Sequence, residues 1–171
     1  MAEITEVARH ISTKFGELEL VTSKLDMLLY YSQALSLVKR GRPLFEDDLY
    51  AWMLAPASPI LYEYYTYGMP IFASKEMFKP SEEPLTSEEI AIVDQVCEKY
   101  GKIRFVELGN MVRASKPYID ARRGHNPDDD GGWLIPKNEI AEYYKNSAKC
   151  DLPNILSESA VKDLTTFREL L

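Results

Sequence analysis

The chain has 171 residues, of which 46% are hydrophobic and 27% are charged, and its 20 basic and 27 acidic residues give a net charge of −7. This length suits one globular domain, and the ordinary composition argues against a disordered or low-complexity chain. An acidic surface repels nucleic-acid backbones unless basic residues gather on one face. The densest basic groups here are only Lys39–Arg40–Arg42 and Arg122–Arg123. We therefore expect no nucleic-acid partner.

The first predicted element is an amphipathic helix that ends at Gly16. Apolar residues recur there at helical spacing: Ile4, Val7, Ala8, Ile11 and Phe15. Glycine is a common helix stop, which sets the predicted end.

The second predicted helix spans about residues 22–40, with Thr22 or Ser23 as its N-cap and Gly41 just beyond its last turn. One arc of this helix carries the polar residues Asp26, Ser32, Gln33, Ser36, Lys39 and Arg40. The rest of the circumference is almost entirely apolar. A helix of this kind packs against several neighbours, so we expect it to lie at the centre of the fold.

A short β-hairpin is predicted over about residues 43–54. Two apolar segments, 43–45 and 49–54, flank the acidic triplet 46–48, and the second alternates as a strand does. The segment 55–59 contains two prolines and is expected to break the strand. Ser58 and Pro59 match an N-cap and a first helical residue, which predicts a short helix over 60–67 that ends at Gly68.

Prolines and capping residues mark the remaining elements. Thr86 and Glu89 form a capping box after a proline-rich loop over 69–85. The later predictions are, in order, a helix ending at Gly101, a helix over 104–114, an irregular stretch over 117–134, a helix opened by Pro136, and a last helix from Ser157 to Leu171. The predicted fold class is therefore mainly α: a compact multi-helix domain around a central apolar helix with one short β-hairpin.

The residues that often carry catalysis or bind metals are sparse. Asn126, Asp128, Asp130 and Gly131 match four positions of a calcium-binding loop, but the position that needs a bidentate glutamate is Lys137. His10 and His125 lack a nucleophile in a suitable motif, and no glycine-rich phosphate loop is present. We therefore predict no catalytic residue, no metal and no cofactor.

The cysteines and the distribution of apolar residues favour a cytoplasmic protein. Cys97 lies on an apolar stripe and is interpreted as a core thiol, and neither it nor Cys150 belongs to a CxxC motif. The acidic amino-terminal segment does not resemble a signal peptide. The longest uncharged run, 49–62, contains two prolines and is too short to span a bilayer, so no membrane partner is expected.

Aromatic residues concentrate in the first half of the chain. Four tyrosines fall within the six residues 62–67, close to Tyr50 and Trp52. They cover most of a helix circumference, so they cannot all face inward, and exposed tyrosine is typical of protein-binding surfaces. The candidate partner-binding residues are Trp52, Tyr62, Tyr65, Tyr67 and Arg122.

The segment 28–65, LLYYSQALSLVKRGRPLFEDDLYAWMLAPASPILYEYY, resembles the core signature of the Panacea domain, a SocA-like antitoxin domain also found in phage-associated proteins. The later helices and the Lys116-Pro117-Tyr118 motif follow in the family's order, so that the resemblance covers residues 4–146. It implies a mostly helical antitoxin domain over 1–146 that neutralises a cognate toxin by direct contact, encoded beside that toxin in a bacterium or phage. No catalytic motif comes with the family.

Three features depart from the family pattern. Ala55-Pro56 replaces the usual Gly-Pro, Tyr118 replaces a tryptophan, and residues 147–171 extend beyond the domain and are expected to form a C-terminal helical extension. The first functional hypothesis is an antitoxin, with self-association left open. The alternative is an adaptor that delivers a partner protein to a protease or chaperone, and a third hypothesis is an enzyme that uses Asp128, Asp130 and His125.

Overall fold

The computed structural model describes residues 1–16, 19–65, 72–126, 128–129 and 131–147. The described helices and strands are α1 (Ile4–Ser12), α2 (Thr22–Arg40), β1 (Tyr50–Ala51), β2 (Pro56–Ala57), α3 (Pro59–Tyr62), a 3-10 turn (Lys75–Met77), α4 (Ser87–Tyr100), α5 (Phe105–Arg113), α6 (Lys116–Ala121), β3 (Trp133–Leu134) and α7 (Lys137–Ser147). This architecture confirms the mainly α prediction. Tyr67, Asp130 and the helix predicted from Ser157 lie outside the described residues.

Helix α2 is the centre of the fold, as predicted. Every residue from Lys24 to Leu37 is buried, and α1, α4, α5, α7 and β2 all pack against this helix. The predicted bounds are correct, but the N-cap position is occupied by Val21 and not by Thr22 or Ser23. Gly41 adopts a left-handed conformation with φ 68°, which a residue with a side chain adopts rarely, and this ends the helix.

The polar arc of α2 is buried too from Asp26 to Ser36, where its side chains make hydrogen bonds to neighbouring backbone. The Gln33 amide nitrogen donates to the Phe45 carbonyl at 2.8 Å, and its amide oxygen accepts from the Leu44 N–H at 2.7 Å. Ser36 Oγ donates to the Arg42 carbonyl at 2.9 Å. Buried polar groups are tolerated when they are hydrogen-bonded in this way. These hydrogen bonds hold residues 42–45 against α2.

The small sheet has the order β2-β1-β3, and both pairings are antiparallel. Tyr50 lies opposite Ala57 and also opposite Leu134. The predicted hairpin exists, but its predicted pairing is wrong: the turn lies at 52–55 and the partner strand is β2, not 43–45. The physical reason is that Gln33 already occupies the backbone groups of the 44–45 segment, so they do not enter a ladder.

Several other element bounds differ from the predictions. Helix α1 ends at Ser12 and not at Gly16. Directly after Ser12, the Thr13 hydroxyl donates to the His10 carbonyl at 2.6 Å and competes with continuation of the helix. Helix α3 ends at Tyr62, although its predicted N-cap is confirmed by the Ser58 hydroxyl, which accepts from the Ile60 N–H. The stretch predicted as irregular over 117–134 contains most of α6 and all of β3.

The remaining helices follow the sequence signals closely. The Thr86–Glu89 capping box opens α4 as predicted. Helix α5 corresponds to the prediction over 104–114, and α7 begins directly after Pro136. Among the described helices, none combines the length and the apolar character that crossing a membrane requires.

Candidate partner-binding surface

Exposed apolar side chains cluster on the turn between β1 and β2 and on α3. Met53 and Leu54 at the turn are 36% and 57% exposed, and Tyr62 on α3 is 42% exposed. The half-buried Trp52 ring meets the Tyr62 ring edge to face, with centroids 4.8 Å apart. We call these four residues the turn patch. Exposed apolar groups that adjoin one another in this way are typical of interaction sites.

The backbone of the turn patch is held by side chains from two helices. The Tyr118 hydroxyl on α6 donates to the carbonyls of Trp52 and Met53. The Arg113 guanidinium at the end of α5 donates to the Leu54 carbonyl at 2.5 Å. Three successive carbonyls are therefore fixed while the side chains of Met53 and Leu54 point to solvent. Such a turn is ordered before any partner arrives.

The Trp52 indole lies directly against the backbone of Gly132. A Cβ atom at position 132 would come within 1.8 Å of Trp52 Nε1, far inside any real contact distance. Glycine is thus required for this close approach, which brings the loop before β3 against the turn patch.

Substitution of Gly132 by alanine is expected to destabilise the protein by about 1–3 kcal/mol, because the added methyl group must displace the Trp52 ring. Urea unfolding followed by circular dichroism measures this. Gly16→Ala is the matched control, since its Cβ would meet only the end of the flexible Glu19 side chain at 3.0 Å. Equal stability of the two variants would show that the indole does not pack on Gly132.

Arg122 holds the loop that contains Asp128 and Asp129 onto the sheet. Its guanidinium donates to the Ala51 carbonyl at 2.9 Å and to the Asp129 carbonyl at 2.7 Å. It also lies over the Trp133 ring, 4.8 Å from the centroid, and Trp133 stacks on His125 at 3.8 Å. These guanidinium contacts join the backbone of the loop to that of β1.

Tyr65 connects the turn patch to the central helix. Its hydroxyl donates to Asp26 Oδ1 at 3.0 Å, and its ring lies 6.3 Å from that of Tyr62. Asp26 is only 6% exposed, and burial raises its pKa to about 8 while the hydrogen bond from Tyr65 acts in the opposite direction. The structure therefore brings Trp52, Tyr62 and Tyr65 together and places Arg122 beside them.

Sequence reasoning missed the residues that expose and hold this surface. The alternation over 49–54 predicts Met53 and Leu54 as strand residues, and the sequence pattern does not indicate the contributions of Arg113, Tyr118 and Gly132. One signal was available in the sequence: two large apolar residues directly precede Ala55-Pro56 at a chain reversal, where polar residues are usual.

Other candidate groups have structural roles. His10 Nε2 lies 2.7 Å from Asp94 Oδ1, which Lys14 also approaches at 2.8 Å, so that these side chains tie α1 to α4.

Cys97 is buried, which confirms the prediction of a core thiol, and burial raises its pKa to about 12. Within the described ranges, which omit Asp130, no group of three His, Cys, Asp or Glu residues is arranged to hold a metal ion.

These features define a mainly α-helical domain that presents a fixed apolar turn on its described surface. The chain belongs to the family described as antitoxin SocA-like, Panacea domain, whose family model matches residues 27–118, more than half of the chain. The match confirms the resemblance over these residues, which include the turn patch together with Arg113 and Tyr118. The chain matches no curated protein and no solved structure.

Proposed function

We propose that the protein is an antitoxin that neutralises a cognate toxin by direct binding, and that the turn patch is its contact surface. Membership of the antitoxin SocA-like family supports the general role. The observation that carries the choice of surface is the turn itself, since Met53 and Leu54 expose their side chains while Tyr118 and Arg113 hold the backbone.

This arrangement suits tight recognition for a thermodynamic reason. Association costs free energy for every side chain and loop that must be ordered at the interface. The turn patch is already ordered, and its tryptophan and tyrosine belong to the residue types that carry most binding energy in protein interfaces. Apolar area is therefore removed from water on binding at a low entropic cost.

The proposal assigns different parts to the five candidate residues. Trp52 and Tyr62 make direct contact, whereas Tyr65 and Arg122 hold the surface from below and from the side. Tyr67 follows closely in sequence and is retained as a contact residue. We also propose a cytoplasmic location, a toxin encoded beside this protein in a bacterium or phage, and a division into an antitoxin domain over 1–146 and a partner-specific helical extension over 147–171.

The test is co-expression with the product of the adjacent gene, followed by measurement of growth, complex formation and affinity. The informative variant is Leu54→Asp, which puts a charge into the proposed interface. We expect it to weaken binding at least about tenfold and to abolish growth rescue, since burying an unpaired charge is costly. Its melting temperature should stay close to that of the parent protein, because Leu54 is 57% exposed.

Val106→Asp is the matched control for Leu54→Asp. Val106 is 54% exposed, but it lies in the first turn of α5, seven residues and about 10 Å along the helix from Arg113, which contacts the turn. The Val106→Asp variant should still bind the toxin and rescue growth. A parent protein that forms no complex and gives no rescue would contradict the function, and equal effects of the two variants would contradict the choice of surface.

An adaptor that delivers its partner to a protease or chaperone would use the same surface. Partner half-life separates the two functions, because an adaptor shortens it in cells that contain this protein. An unchanged or longer half-life together with growth rescue supports the antitoxin.

A further inference from the structure

A buried carboxyl group on the central helix lies beneath the turn patch. Asp26 lies in the second turn of α2 and is 6% exposed. The residues on either side of it, Leu25 and Met27, are fully buried and apolar. Burying a carboxyl group in such a setting is costly unless it is hydrogen-bonded. An apolar residue would suit the core better, so packing alone does not account for an aspartate here.

The hydrogen bond that Asp26 accepts leads directly to the surface. Tyr65 donates its hydroxyl to Asp26 at 3.0 Å, its ring contacts Tyr62, and the Tyr62 ring contacts Trp52. The backbone reinforces this series, since the Tyr65 N–H donates to the Tyr62 carbonyl at 3.1 Å. One buried carboxyl is thus linked through two aromatic rings to the indole of the turn patch.

The segment that carries Tyr62 is held in place by side-chain contacts. Helix α3 is a single turn, Pro59–Tyr62, and an isolated helix of this length is not stable by itself. The fully buried Leu61 holds α3 in the core, and among the described residues that follow, Tyr64 packs on Phe78 with ring centroids 5.3 Å apart and Tyr65 bonds to Asp26 on α2. The Tyr65 ring also contacts the Tyr62 ring.

We propose that Asp26 is a positioning residue, which fixes Tyr65 by accepting a hydrogen bond from its hydroxyl and thereby sets the orientation of Tyr62 and Trp52 for partner binding. The effect on affinity rests on the proposed antitoxin function. The effect on the Trp52 ring does not, because it is a property of the free protein. The two are therefore measured separately.

The first measurement is fluorine NMR of the full-length protein labelled with 5-fluorotryptophan, which gives one resonance each for Trp52 and Trp133. Tyr65→Phe keeps the ring but removes the hydroxyl, and it should shift or broaden the Trp52 resonance while the Trp133 resonance stays in place. Asp26→Leu should do the same. Asp26→Asn keeps an acceptor oxygen and should restore the parent spectrum.

Ser32→Ala is the control for removal of a buried hydroxyl, because Ser32 Oγ donates within α2 to the Leu28 carbonyl. It should leave both resonances unchanged. If Asp26→Leu does not fold, Tyr65→Phe alone decides the question. An unchanged Trp52 resonance in Tyr65→Phe, or an Asp26→Asn spectrum like that of Asp26→Leu, would overturn the proposal.

The second measurement is affinity for the toxin encoded by the adjacent gene. Tyr65→Phe and Asp26→Leu should weaken binding about tenfold, and Asp26→Asn should return it to the parent value. Parent-like affinity in Tyr65→Phe would overturn the positioning role in binding. If the Trp52 resonance moves as expected while the parent protein binds no toxin, the coupling is supported and the antitoxin function is contradicted.

Discussion

Replacement of Gln33 by leucine is expected to lower the free energy of unfolding by about 3–5 kcal/mol. The Gln33 side chain is 1% exposed, donates to the Phe45 carbonyl, and accepts from the N–H groups of Leu44 and Phe45 at 2.7 and 3.4 Å. Leucine fills a similar volume but satisfies none of these buried backbone groups, each of which costs about 1–3 kcal/mol when left unpaired. Urea unfolding followed by far-ultraviolet circular dichroism measures the loss.

The neighbouring Ser32→Ala variant controls for disturbance of α2 itself. Ser32 is fully buried, but its hydroxyl bonds to the Leu28 carbonyl within the same helix and not to a separate segment. Its removal should cost less than about 1 kcal/mol. If Gln33→Leu cost no more than Ser32→Ala, the 44–45 backbone would have other partners, and the attachment of this segment to α2 would not contribute to stability.

The parts of the fold that depend on local signals were predictable. The Thr86–Glu89 capping box, the Ser58–Pro59 helix start and Gly41 at the end of α2 each act within a few residues of the chain. The position of α2 followed from its composition, since a helix that is apolar over most of its circumference needs partners on several sides.

The strand pairing was not predictable because it depends on distant contacts. Residues 43–45 have the composition of a strand, but the backbone groups of residues 44 and 45 bond to the Gln33 side chain and not to another strand. The second neighbour of β1 is β3, more than 80 residues further along the chain. Local composition does not encode such pairings, and the strand preference of a segment depends on its tertiary context.

The candidate surface was predictable by residue type but not by geometry. The density of tyrosine indicated that some rings face outward, and Tyr62 does. The hydroxyl of Tyr118, 66 positions from Trp52, and the carboxyl of Asp26, 39 positions from Tyr65, give the surface its shape. No spacing rule connects residues this far apart.

The buried carboxyl of Asp26 makes the stability of the protein depend on pH in a defined direction. Burial raises the Asp26 pKa from 3.8 to about 8 in the folded state, although the hydrogen bond from Tyr65 acts to lower it. Between these two values the folded protein holds a proton that the unfolded chain has released. Folding therefore takes up a proton, and Asp26 makes stability fall as pH rises, with a limiting slope of about 1.4 kcal/mol per pH unit.

The Asp26→Asn variant is expected to lose this slope, because an amide does not titrate. Measured by urea unfolding, the stability of the variant relative to the parent should rise by about 1 kcal/mol per pH unit between pH 5 and 7.5. Asp120→Asn is the control: the hydrogen bond from Lys116 holds the Asp120 pKa below its ordinary value, so that carboxyl is ionised in both states throughout this range, and the difference should stay flat. A flat difference for Asp26→Asn as well would mean that the folded protein carries Asp26 as a buried carboxylate, which the apolar neighbours of Asp26 on α2 make costly.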